Sequence, residues 1–129
     1  MAQVKVYALA STLGMCKPKL SKVVHDCLVE ALGIPEDRKF QRFFPLSADD
    51  FLFPEGRSSR YTVLEIQLFE GRSDGAKRRL IRMLYERFTA DLGYDPNDLE
   101  VNLIETPRAN WGIRGRVGDE LDLAYEVEV

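Results

Sequence analysis

The sequence predicts an α+β fold made of two tandem β-α-β units, with both helices packed on one face of a single sheet. Three observations carry this. A strand-like run (Val4, Val6, Ala8) leads into a helix-like run that ends at Leu32-Gly33, and a second strand-like run (Val63, Leu64, Ile66, Leu68) leads into a helix-like run that ends at Leu92-Gly93. Each of these glycines is followed within three residues by a proline, Pro35 or Pro96, then by acidic residues and another apolar strand. A strand–helix–strand unit connects two parallel strands with a fixed handedness, so its duplication puts both helices on the same side. The expected organisation is one domain over residues 1–129, with units at about 2–46 and 61–106 and a tail at 107–129.

Each element has its own justification. Gln3-Val4-Lys5-Val6-Tyr7-Ala8-Leu9 alternates as a half-buried strand does. Gly14 is expected to break the chain, and Pro18 to open the first helix, where its missing N–H costs nothing. Leu20, Val24, Cys27 and Ala31 then follow at helical spacing, and Gly33 and Pro35 end the helix. The aromatic segment with Phe40, Phe43, Phe44, Phe51 and Phe53 reads as β-like or irregular, and residues 54–59 read as an exposed loop. Tyr61–Phe69 is nearly continuously apolar, as a central strand should be. Ser73 and Asp74 can cap the second helix, whose apolar residues Ala76, Leu80, Leu84, Phe88 and Leu92 recur every four positions. Leu99, Val101 and Leu103 alternate with Glu100 and Asn102 in a further strand. A turn-rich stretch follows Pro107, and the alternating tail at 121–129 reads as a possible strand in need of a partner edge, such as that of a neighbouring subunit.

Composition excludes several function classes. A hydrophobic share of 45% and a charged share of 30% are those of a globular domain, and a net charge of −3 argues against general nucleic-acid binding. No apolar run approaches the length of a membrane span, and no signal peptide is visible, so neither membrane nor secretion is expected. Two cysteines without a framework fit a reducing cytoplasm. One histidine and two cysteines offer no zinc spacing, and no phosphate loop is present, so no metal or cofactor is expected.

Candidate chemistry is sparse. His25 reads as a partly exposed helix residue and Cys27 as an inert member of the apolar stripe. Cys16, ahead of the expected helix start and beside Lys17, is a candidate nucleophile. Arg72 falls where the central strand meets the second helix, after Gly71. There it either holds a small carboxylate beside a helix N-terminus, or is a solvated loop residue or the partner of a neighbouring carboxylate. Trp111, in Asn110-Trp111-Gly112, either walls an apolar pocket or packs on the core or an interface. Arg108, Arg114 and Arg116 form a positive cluster around it that suits a small anion or a soluble loop.

Taken together these residues resemble the tautomerase superfamily, and within it the malonate semialdehyde decarboxylase-like branch. The resemblance covers about residues 2–115. It rests on the duplicated unit, on Ala31-Leu32-Gly33-Ile34-Pro35, on Leu68-Phe69-Glu70-Gly71-Arg72-Ser73 and on Asn110-Trp111. It implies a homotrimer with active sites near subunit boundaries and cofactor-free chemistry on small oxo-acids or enols. An N-terminal proline, exposed by loss of the initiator Met, would serve as acid or base, and arginines would hold the substrate carboxylate.

The chain departs from that pattern at its centre. Ala2 stands where the proline would be. If Met1 is removed, Ala2 offers a primary amine, which ordinarily titrates near pH ~8 and can also form an imine. If Met1 stays, that nitrogen is an amide. Where the branch pairs two arginines only Arg72 is present, and the counterpart of its aspartate is Arg38, with Asp37 one position earlier. Decarboxylation of malonate semialdehyde is therefore not carried over. The resemblance implies substrate binding by Arg72 and Trp111 and offers Asp37 as a catalytic candidate; Arg38 and Arg114 are further candidates for binding the substrate anion, and Ala2 is the catalytic candidate if Met1 is removed. The competing expectation is a catalytically inactive trimer that binds a small anion or serves as an interaction protein.

Overall fold

The computed structural model describes residues 2–129, and Met1 lies outside them. Four strands form one sheet: β1 (Ala2–Leu9), β2 (Gln41–Leu46), β3 (Thr62–Phe69) and β4 (Leu99–Thr106). Their order is β2-β1-β3-β4. β1 pairs parallel with β2 and β3 pairs parallel with β4, while the two central strands run antiparallel to each other. This is the duplicated β-α-β arrangement, with α1 (Ala10–Leu32) and α2 (Asp74–Leu92) as the crossovers.

Alternation decides which face the helices cover. Ala2, Val4, Val6 and Ala8 of β1 are buried, as are Thr62, Leu64, Ile66 and Leu68 of β3, and they meet Leu20, Val24, Leu28, Leu80, Leu84 and Phe88 of the helices. The intervening residues Lys5, Tyr7, Val63 and Glu65 are only half-buried, and the Tyr7 ring stacks on Phe44 at 4.7 Å between centroids. β3 is central in the sheet, yet it is buried on one face only.

Three expectations need correction. First, α1 begins at Ala10, directly after β1, so Gly14 does not break the chain and Pro18 lies inside the helix. A proline in a helix interior clashes with the carbonyl four residues back and costs about 3 kcal/mol. Here Leu13, Cys16, Leu20, Val24, Cys27 and Ala31 continue one core-facing stripe through both breakers, and packing outweighs local propensity. Second, His25 is buried at 7% exposure, and its Nε2 lies 2.8 Å from the Glu36 carbonyl oxygen, fastening α1 to the loop that follows it. Third, residues 121–129 form no strand. The tail instead runs back across the molecule. Leu121 is buried, its carbonyl accepts from Arg108 Nη2 at 2.6 Å, and Tyr125 packs on the core. Its alternating pattern pairs with neither edge strand of the sheet, β2 or β4, and Leu121 and Tyr125 are satisfied by packing instead.

The remaining elements follow the sequence closely. Gly33 caps α1 in the left-handed conformation (φ 69°), donating to the Val29 carbonyl. Ser73 caps α2, its hydroxyl accepting from the Ala76 N–H at 3.1 Å. Past β4 a short turn leads to a small hairpin, β5 (Gly112–Ile113) with β6 (Arg116–Val117). Cys27 is fully buried, and burial pushes its thiol up to about 11.

Candidate active site

Strand register gathers the candidate residues at one end of the sheet. Ala2 at the start of β1 stands opposite Leu68 near the end of β3, and Leu68 stands opposite Glu105 near the end of β4. β3 then runs through Glu70-Gly71-Arg72 into α2, and β4 runs through Thr106-Pro107 towards Trp111. The chain's first described residue, both strand ends and the start of α2 thus converge.

Arg72 is the most unusual group there. It is only 5% exposed, so the solvated-loop alternative is overturned, and the neighbouring carboxylate, Glu105, acts on it through its field without forming an ion pair. Its Nη1 donates to the Phe69 carbonyl at 3.1 Å, while Nε and Nη2 are buried with no partner. Burial lowers its pKa from the usual arginine range, and the field of Glu105 opposes that shift. Gly71, at φ 130°, brings the backbone close to the tail, where an added Cβ would meet Val127 Cγ1 at 3.1 Å and Glu128 Cγ at 3.2 Å. The N–H groups at the start of α2 are partly occupied by the Ser73 cap, and the Ser73 hydroxyl itself donates to the Val129 carbonyl at 2.9 Å.

Trp111 packs edge-on against Phe69, at 4.9 Å between centroids and 81° between planes, and its Nε1 donates to Thr106 Oγ1 at 2.8 Å. Arg72 and Trp111 are therefore joined through Phe69, whose carbonyl takes one and whose ring takes the other. Arg108 is spent on structure, donating to the Gly118 and Leu121 carbonyls.

Beside this junction lies a cavity of about 330 Å³ whose walls include Ala2, Arg38, Phe40, Ile113, Arg114 and Tyr125. Ala2, Arg38 and Arg114 thus come together on one cavity. Asp37 is exposed and forms an ion pair with Arg38 at 3.1 Å. Arg72 and Trp111 do not line that cavity. Cys16 lies elsewhere. It is inside α1, at the opposite end of the sheet, and its Sγ donates to the Thr12 carbonyl at 3.2 Å. The helix N-terminus that was to activate it is not there. The cavity it lines, about 530 Å³, is walled also by Thr12, Arg60 and Leu92.

One polar residue at the site escaped the sequence reading. Glu105 continues the inward phase of Leu99, Val101 and Leu103, so a carboxylate stands where the alternation calls for an apolar side chain. Lys77 Nζ holds its Oε1 at 2.8 Å, and its Oε2 is buried without a partner. Among the described residues, no cluster of histidine, cysteine, aspartate and glutamate could hold a metal ion.

With this geometry in view, comparison with known proteins is decisive for the family. The tautomerase enzyme family matches residues 38–114, more than half of the chain. The protein belongs to that family. Among its relatives are the probable tautomerases YrdN and YusQ of Bacillus subtilis (strain 168). YrdN is 26% identical over 98 residues, spanning 72% of this chain and 75% of the relative. YusQ is likewise 26% identical over 98 residues, spanning 72% of this chain and 77% of the relative. In fold the chain resembles malonate semialdehyde decarboxylase, with a TM-score of 0.80, 24% identity, and coverage of 92% of this chain and 99% of that one. It also resembles the F6 fused 4-OT, an asymmetric trimer, with a TM-score of 0.79, 23% identity, and coverage of 91% and 96%. No helix of the described residues is long and apolar enough to cross a membrane.

Proposed function

We propose that this member of the tautomerase family is a cofactor-free isomerase that moves a proton next to the carbonyl of a small carboxylated enol or oxo-acid. The observation that carries the reading is the buried, under-partnered Arg72 guanidinium just past the end of β3, the strand whose Leu68 pairs with Ala2. A buried cation with free N–H groups is costly unless something negative completes it, and a substrate carboxylate does so. In this reading Arg38 and Arg114, on the cavity they share with Ala2, draw the anion to this end of the sheet, and Arg72, which lies outside that cavity, takes the carboxylate once residues 127–129 shift from Gly71. Trp111 supports the site through Phe69. The Ala2 amine, once Met1 is removed, moves the proton, with Asp37 acting through its pair with Arg38.

Assembly as a cytoplasmic homotrimer is part of the proposal. Association between copies is supported by the half-buried sheet face that carries Tyr7, Phe44 and Val63, which the helices leave uncovered. A second reading, an inactive trimer that only binds a small anion, is favoured by the departure at Ala2, where at most a primary amine replaces the family's secondary one, and by the further departures at the second arginine and at Arg38.

The test is enol-to-keto conversion of an arylenolpyruvate by protein whose mass shows Met1 removed. Turnover that is lost when the Ala2 amine is blocked supports the isomerase reading. Absence of turnover, together with stabilisation by small oxo-acids, supports the binding reading.

A further inference from the structure

The site contains two charges that the fold leaves incomplete. Arg72 has two buried N–H-bearing nitrogens without acceptors, and Glu105 has one buried oxygen without a donor. They do not form an ion pair with each other, although Glu105 lies close enough to stabilise the charged Arg72. Buried polar atoms are nearly always paired, and charged ones most strictly. Here a cationic donor and an anionic acceptor are both left over at one end of the sheet.

The carboxylate of Glu105 is also held in a definite orientation. Lys77 takes Oε1, and Lys77 is itself fixed by Asp74 at 3.3 Å in the first turn of α2. One oxygen is anchored and the other is presented. Glu105 shares its row with Ala2 through Leu68, at the end of the sheet where β3 runs on to Arg72.

We infer that Glu105 is a substrate-binding residue that sets specificity, accepting a hydrogen bond from a hydroxyl on the ligand whose carboxylate Arg72 holds. The inference rests on the carboxylate site proposed above and adds its second half. A ligand that completes both groups must carry an acceptor anion and a nearby O–H donor, as a 2-hydroxy acid or an enol acid does, whereas a plain carboxylic acid completes only Arg72. Such a ligand enters by shifting residues 127–129, which close over Gly71 through Val127 and Glu128 and through the Ser73 bond to Val129.

The experiment titrates the whole protein with glycolate and with acetate, which differ by one hydroxyl, and follows binding by chemical-shift changes. Wild type is expected to bind glycolate about tenfold more tightly than acetate, the effect of one hydrogen bond to a charged acceptor. Glu105→Ala should abolish that preference and leave acetate affinity within about twofold. Glu105→Gln keeps the side chain's shape if the alanine variant fails to fold, and it should reduce the preference to about threefold. Arg72→Met should weaken both acids. Equal affinity of wild type for the two acids, or a full preference in the Glu105 variants, overturns the role of Glu105 while leaving the carboxylate site standing. If neither acid binds wild type, or Arg72→Met binds both as wild type does, the carboxylate site itself is wrong and the inference falls with it.

Discussion

Replacing Arg72 with methionine is expected to make the protein more stable while removing its carboxylate site. The side chain is 5% exposed, so the guanidinium has been taken out of water almost completely. In return it makes one hydrogen bond, to the Phe69 carbonyl, and leaves Nε and Nη2 without acceptors. Each unsatisfied buried donor costs about 1–3 kcal/mol, which puts the penalty at about 2–6 kcal/mol. The bond to Phe69 and the field of Glu105 return about 1.5–3 kcal/mol, the range for a hydrogen bond to a charged group. Methionine fills similar volume with a flexible apolar chain and removes both sides of that balance. The expected net gain is about 1–2 kcal/mol. For a chain of this size that raises Tm by roughly 3–8 °C. The assay is urea unfolding at fixed protein concentration, which matters if the chain is oligomeric, with Cm read at constant m. A loss of more than about 1 kcal/mol would show that Arg72 is a structural residue with partners of its own, and would remove the main support for a ligand site there.

Other expectations follow from the same structure. Gly71→Ala forces a side chain into φ 130° and into Val127 and Glu128, so it should cost about 1–2 kcal/mol and loosen the tail, read as faster modification of Arg72 by phenylglyoxal mapped by mass spectrometry; unchanged labelling would mean that the tail does not shield Arg72. Asp98 is buried and accepts from the Ser58 N–H at 2.7 Å and the Ser58 hydroxyl at 2.6 Å, so Asp98→Ala should destabilise by about 2–4 kcal/mol in denaturant unfolding, and a near-neutral result would contradict that pinning of the loop. Cys27 titrates at about 11, above its ordinary 9.0, so the native state keeps its proton longer than the unfolded chain does. Its share of stability is intact below pH 9 and is lost as pH rises from 9 through 11, and Cys27→Val should flatten that part of the pH–stability curve.

How much of this was legible beforehand differs by level. Duplication, strand alternation and the Gly-Pro stops describe local periodicities and backbone limits, and these survive into the fold because each repeat builds its own β-α-β unit. Gly14 and Pro18 misled because breaker propensity is local, whereas the stripe from Leu13 to Ala31 is stabilised by a core that exists only once the sheet is formed. The tail misled for the converse reason: alternation suits a strand, but a strand must also lie along an edge, and residues 121–129 meet the side chains of Arg108 and Ser73 rather than β2 or β4.

The sequence by itself determined the family, the two-unit architecture and the placement of Arg72 at a strand–helix junction, because all three depend on order and spacing along the chain. Only the tertiary structure decided that Arg72 is buried and incomplete, that Ala2, Arg38 and Arg114 share a cavity, and that Cys16 lies at the far end of the sheet from them. Burial and partnership are properties of surroundings. The surroundings of Arg72 and Glu105 are assembled by register between strands far apart in sequence, which no local pattern encodes.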